Sequence, residues 1–215
     1  MGRNLAHQFL NSQHRHILIT ITLIAALIAL FASFSAAAES SPWLLRVGAH
    51  NVAPKSDNHS IVEVDDATML TFNLTRFLNE HWAVELLAAA PFKHDIDLVS
   101  GGKVAETKHL PPTLSAQYHF NPGGKIRPYV GAGINVTLFF EEDTTGVLAA
   151  SDLSLDTSVG AAAQLGMDFD ITEKLFVNAE VRYIQIETKA KLDSTSLGDV
   201  EIDPWVFGVS LGLRL

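Results

Sequence analysis

From Trp43 to Leu215 the chain repeatedly alternates apolar residues with small or polar ones, and this period of two constrains the fold more than any other feature. In the last segment Trp205, Phe207, Val209, Leu211, Leu213 and Leu215 take every odd position, while Gly208, Ser210, Gly212 and Arg214 fall between them. Val130, Ala132, Ile134, Val136, Leu138 and Phe140 alternate in the same way with Gly131, Gly133, Asn135 and Thr137. Such a period belongs to a strand with one apolar face. The pattern predicts strands near 43–52, 67–77, 82–94, 109–120, 127–140, 154–169, 175–189 and 204–215. The connections alternate too: 53–66, 95–108, 141–153 and 190–203 are long, whereas 78–81, 121–126 and 170–174 are short.

An even number of strands joined by alternating short turns and long loops is the pattern of an outer-membrane β-barrel with both termini on the turn side. A soluble eight-stranded barrel would also alternate, but its polar face would meet water and carry many charges. Here that face holds Gly, Ser, Thr, Asn and Gln, with Thr71, Asn73, Thr75, Thr113, Ser115 and Gln117 as examples. Such residues fit a narrow lumen, which leaves the apolar face for lipid. Aromatic residues gather at the strand ends, as interfacial belts require. Phe77, Trp82, Tyr118, Phe120, Tyr129, Phe169 and Phe176 flank the short turns. Phe92, Phe139, Phe140, Trp205 and Phe207 lie towards the other end. The fold class expected is therefore all-β, an eight-stranded antiparallel transmembrane β-barrel of the outer membrane.

Residues 1–38 stand apart. Arg3 and Arg15 precede an apolar run from Ile17 to Phe34, and Ala36, Ala37 and Ala38 follow. This is the plan of a secretory signal peptide cleaved after Ala38, leaving 39–215 as a single barrel domain. There is no cysteine, which excludes disulfides and cysteine-rich zinc sites. A formal net charge of -9 argues against nucleic acid as a partner.

The strings Val84-Glu85-Leu86-Leu87-Ala88-Ala89-Ala90-Pro91-Phe92, His109-Leu110-Pro111-Pro112-Thr113-Leu114 and Arg127-Pro128-Tyr129-Val130-Gly131-Ala132-Gly133-Ile134-Asn135 are more specific than any periodicity. With Ser151-Asp152-Leu153-Ser154-Leu155 and Asp203-Pro204-Trp205-Val206-Phe207, they make the chain resemble, over nearly all of residues 39–215, the OmpW family of outer-membrane proteins, which includes the AlkL alkane importers. The resemblance implies an eight-stranded barrel that passes small hydrophobic molecules and releases them through its wall into lipid. It also implies an apolar constriction in the lumen. Leu87 fits an inward position there, whereas Arg182 stands where an apolar or aromatic partner is expected. Barrels of this kind commonly end in an aromatic residue read by the barrel-assembly machinery, and here the alternation runs on to Leu215.

Strand parity turns Arg46, Glu85, Leu87, Gln117, Asn135, Gln164, Glu180, Arg182 and Arg214 inward. Glu85, Glu180 and Arg182 lie at comparable depth above their turns and are expected to form an ion-pair cluster, since buried charges must be paired. Its role is either to neutralise a plugged lumen or to select what passes. Pro91, Pro111 and Pro112 cannot donate to a ladder, so pairing between the third and fourth predicted strands should be interrupted there. The gap would give a lateral opening lined by Phe92 and Leu110, unless the prolines merely end the strands.

His94 and His109, with Asp95 and Ser100 nearby, could be drawn as a catalytic triad or a metal pair. No nucleophile-turn motif accompanies them, and two such His residues are expected to be solvated loop residues, so neither enzyme activity nor a cofactor is expected. Asp57, Glu63, Asp65, Asp66, Glu141, Glu142, Asp143, Asp193, Asp199, Glu201 and Asp203 make the long connections acidic. They form either a solvated surface or a contact with cations that bridge lipopolysaccharide. The expected partners are outer-membrane lipids, lipopolysaccharide, small hydrophobic solutes and the assembly machinery. The alternative function is a structural barrel or a phage or toxin receptor without transport.

Overall fold

Backbone pairing closes the sheet on itself. The computed structural model describes residues 41–55, 62–98, 100–193 and 195–215, so the predicted leader and Asp57 lie outside the described residues. Eight strands form the ring: β1 (Trp43–Ala53), β3 (Ala67–Phe77), β4 (Trp82–Ala89), β7 (Thr113–His119), β8 (Ile126–Thr144), β10 (Ser158–Asp170), β11 (Leu175–Ile184) and β14 (Trp205–Arg214). Each pairs antiparallel with the next, and β14 returns to β1 with Leu45 opposite Leu213 and Val52 opposite Val206. A closed ring leaves no backbone edge, the condition for a sheet in lipid.

The long connections are built rather than loose. β2 (Val62–Val64) pairs with β5 (Phe92–Leu98), and β5 with β6 (Lys103–Leu110), which lies on the upper part of the 19-residue β8. A separate three-stranded sheet joins β9 (Leu153–Leu155), β12 (Glu187–Leu192) and β13 (Thr195–Glu201). The segments 95–108 and 190–203, expected as loops, are thus largely hairpins. The same period of two that marks a lipid-spanning strand also marks a hairpin standing above it.

Burial is inverted relative to a soluble protein. Arg46 and Arg182 are 0% and 1% exposed, while Val159, Val209 and Ile134 on the outer face are 69%, 61% and 60% exposed. Glycine makes room for the large inward side chains. A Cβ on Gly208 would lie 2.0 Å from His50 Nε2, and one on Gly166 would lie 2.2 Å from Tyr129 Cζ.

Several aromatic assignments change with this packing. Trp82, Phe120, Phe169, Trp205 and Phe207 are exposed on the outer face and suit a belt. Tyr129 and Phe176, expected there, are fully buried in the lumen instead. Phe139 packs inward against the apolar cluster formed around Val52 and Ile184. Parity alone gives the reason, since each alternates with outward neighbours such as Pro128, Val177 and Leu138.

Candidate functional site

Three layers fill the interior between the short turns and the long connections. Nearest the turns, Asp170 accepts from Arg127 and, at 2.6 Å, from Arg214. The guanidinium carbons of both arginines lie 5.5 Å from the Phe176 ring centroid.

The middle layer is a continuous ionic network. Arg46 donates to Glu85 at 3.0 Å and to Asp168 at 3.1 Å. Arg182 donates to Glu85 at 2.6 Å and to Glu180 at 2.9 Å. Glu180 also accepts from the Tyr129 hydroxyl at 2.8 Å, and its Oε1 lies 2.6 Å from His50 Nε2. On the far side of that imidazole, Nδ1 lies 2.6 Å from Thr71 Oγ1. Asn178 donates to both Tyr129 and Asp168. Arg46, Glu85 and Asp168 come from β1, β4 and β10, and Glu180 and Arg182 both come from β11, so the network ties four strands of the ring together across its diameter.

One inward position further from the turns, polarity ends. Val52 follows His50, Ile184 follows Arg182, Ala89 follows Leu87, and Met69, Ala162 and Val206 occupy the same step on β3, β10 and β14. These six pack with Ile186 and Ile202 as one buried apolar cluster. Leu87, 1% exposed, stands at the junction between Glu85 and Ala89.

Beyond the cluster lies a cavity of about 260 Å³ between the β5–β6 hairpin and the β9–β12–β13 sheet. Ile96, Val104, Leu153 and Leu155 line its sides, and Phe139, Val200 and Ile202, which also touch the apolar cluster, form its floor. Among the described residues its polar lining is His94, Thr107, His109 and Thr188. The two histidine rings stack with centroids 4.8 Å apart and planes 7° apart. Desolvation in this apolar setting pushes His109 down to about 3, with His94 adding to the effect, and lowers His94 too.

Beside the cavity the wall changes its pairing. Leu87 is opposite Thr113 and Phe92 opposite His109, but no rung between these strands joins 88–91 to 110–112. Pro91 is exposed and Pro111 buried. Asn135 Nδ2 donates to the Pro111 carbonyl at 3.1 Å, and Val136 N to that of Pro112 at 3.0 Å, so β8 holds the break in a fixed shape. On the other flank β3 bonds to Ala90 N through Leu70 O, and above that point no ladder joins β3 to β5 among the described residues.

A model of the OmpW family matches residues 41–215. The chain belongs to the OmpW family. Outer membrane protein W of Vibrio cholerae is 38% identical over 214 residues, covering 91% of this chain and 98% of the relative. Outer membrane protein AlkL of Ectopseudomonas oleovorans is 31% identical, covering 77% and 73%. The crystal structure of OprG from Pseudomonas aeruginosa superposes with a TM-score of 0.73 at 33% identity, covering 82% of this chain and 97% of that one. This OmpW-family barrel is an outer-membrane protein in contact with membrane lipids.

The structure brings Glu85, Glu180 and Arg182 together and sets Leu87 beside them. Sequence parity had turned Arg46 inward without assigning it to the cluster, and Asp168, His50 and Tyr129 were missed. Their partners lie up to 130 residues away in sequence, and nothing local signals them. His94 and His109, expected as solvated loop residues, are 2% and 5% exposed and face the cavity. Asp95 turns to the outer face and pairs with Lys103 at 2.8 Å, and Ser100 is exposed near the hairpin tip, so no triad assembles. No group of three or more His, Asp or Glu suited to a metal is present among the described residues.

Proposed function

We propose that this OmpW-family barrel is a narrow passive conduit for small hydrophobic molecules, which it releases sideways into the membrane. The observation that carries the reading is the apolar cavity at the loop end, whose exit towards the turns is closed by the apolar cluster and then by the ionic network. A solute without hydrogen-bonding groups gains by entering the cavity and would have to strip paired charges to go straight through. The prolines give it another way out. Pro91, Phe92, Leu110, Pro111 and Pro112 border the place where the ladder is interrupted, level with the cavity floor, and what lies outside is lipid. In this reading Glu85, Glu180 and Arg182 plug the lumen, and Leu87 caps the plug.

The likeness to AlkL supports the class of solute, and the segment 1–38 is read as a leader removed on export. Uptake of a labelled medium-chain hydrocarbon by cells lacking their own homologue, with this barrel or an empty vector, tests the proposal. Uptake above vector is expected. Uptake equal to vector, with the barrel shown folded in the outer membrane, would reject it and favour a structural or receptor barrel.

A further inference from the structure

We propose that Lys93 and Lys108 form a binding site for a phosphate group of lipopolysaccharide on the outer face of the barrel. The inference rests on the outer-membrane location and is independent of solute passage. On β8 the outward positions are apolar without interruption from Pro128 through Val130, Ala132, Ile134, Val136 and Leu138 to Phe140. That is the height of the lipid band. Lys108 is in register with Phe140 on one side and with Lys93 on the other. On β5 and β6 these lysines are the first charged outward residues met going up the barrel, at the upper edge of the band, where lipid phosphates lie.

Their register is unfavourable in isolation. Two ammonium groups directly opposite on one face of an antiparallel pair repel each other. Glu106 pairs with Lys93 and Glu141 with Lys108. Glu106 is shared, because its second oxygen accepts from Lys103 at 2.7 Å. An ammonium has three donors, and the carboxylate shown on each lysine takes one. Lys93 and Lys108 remain 48% and 36% exposed at the side chain. A phosphate monoester between them would accept from both and remove the repulsion.

The next rung outward decides the kind of lipid. There Asp95, Glu106 and Asp143 lie opposite one another across β5, β6 and β8. A cationic rung at the phosphate level with an acidic rung above it suits a molecule whose phosphate sits at the membrane surface and whose polar part continues outward as sugar. A glycerophospholipid ends where the acidic rung begins.

The test uses the whole barrel in nanodiscs, with lipid retention read by native mass spectrometry. Bisphosphorylated lipid A bearing its inner-core sugars, the same lipid without phosphates, and phosphatidylglycerol are the probes. Wild type should retain the bisphosphorylated form, and Lys93→Gln with Lys108→Gln should weaken it by about fivefold per lysine. The Lys93→Arg, Lys108→Arg pair should retain it, and Lys174→Gln at the turn end should have no effect. Equal retention of the phosphorylated and dephosphorylated forms, or equal binding by wild type and the Gln pair, would overturn the proposal. Phosphatidylglycerol held as tightly as lipid A would overturn the assignment to lipopolysaccharide. Both lysines are exposed, so the Gln pair should fold, which heat-modifiability on a gel verifies.

Discussion

Arg182 on β11 reaches across the lumen to Glu85 on β4, 97 residues earlier in the chain, and closes on it at 2.6 Å with both side chains at 0% exposure. Charges this deep are tolerated only while paired. Replacing Arg182 with Leu leaves two carboxylates short of a cation and should destabilise the barrel by about 3–5 kcal/mol. Urea-induced unfolding in detergent or lipid measures this. If Arg182→Leu unfolded at the wild-type concentration, the network would not be a structural plug.

The packing of His50 against Gly208 gives a second expectation. The ring is held between Thr71 and Glu180, so it cannot retreat from an added methyl group that would arrive 2.0 Å from Nε2. Gly208→Ala should destabilise the barrel by about 1–3 kcal/mol. Gly123, in a short turn with nothing within 4 Å of a Cβ, should accept Ala with little change. Comparing the two melting temperatures checks it.

Acid should loosen the loop end. In the unfolded chain an imidazole binds its proton near pH 6.5, whereas burial holds His109 to about 3 in the folded barrel. Between these values the unfolded state binds more protons, so stability is full above about pH 6.5 and falls progressively towards pH 3. His94, lowered by the same cause, acts in the same direction, although Asp65, Asp66 and Asp95 nearby moderate it. Hydrogen exchange of the β5–β6 amides across this range should rise as pH falls, after correction for intrinsic rates. In His109→Phe the rise should be smaller.

Much of this architecture is legible in the sequence because strand parity and loop length are local properties. Gly208-Val209-Ser210-Leu211 states its own two faces, and the turns at 78–81 and 171–174 fall where the pattern breaks. The cluster of Glu85, Glu180 and Arg182 was readable because each is a charge on an otherwise small or polar inward face. Tyr129 and His50 were not. An aromatic beside a turn reads equally as a belt residue or a lumen residue until register shows which strand lies opposite. The cavity was hidden for a related reason: its walls are hairpins whose alternation looks the same as that of a loop flanked by strand ends, and His94 and His109 meet only when β5 folds onto β6.

Solute uptake in two variants tests the lateral route most directly. The interrupted ladder should depend on the prolines, whereas Leu87 lies on the plug side of the exit. Cells producing Pro91→Ala, Pro111→Ala, Pro112→Ala together, or Leu87→Trp alone, are compared with wild type and vector at matched amounts of folded barrel. Labelled hydrocarbon uptake should fall towards vector in the triple proline variant and stay near wild type in Leu87→Trp. Loss of uptake in Leu87→Trp, with the proline variant unaffected, would place the route straight through the lumen and contradict the lateral route.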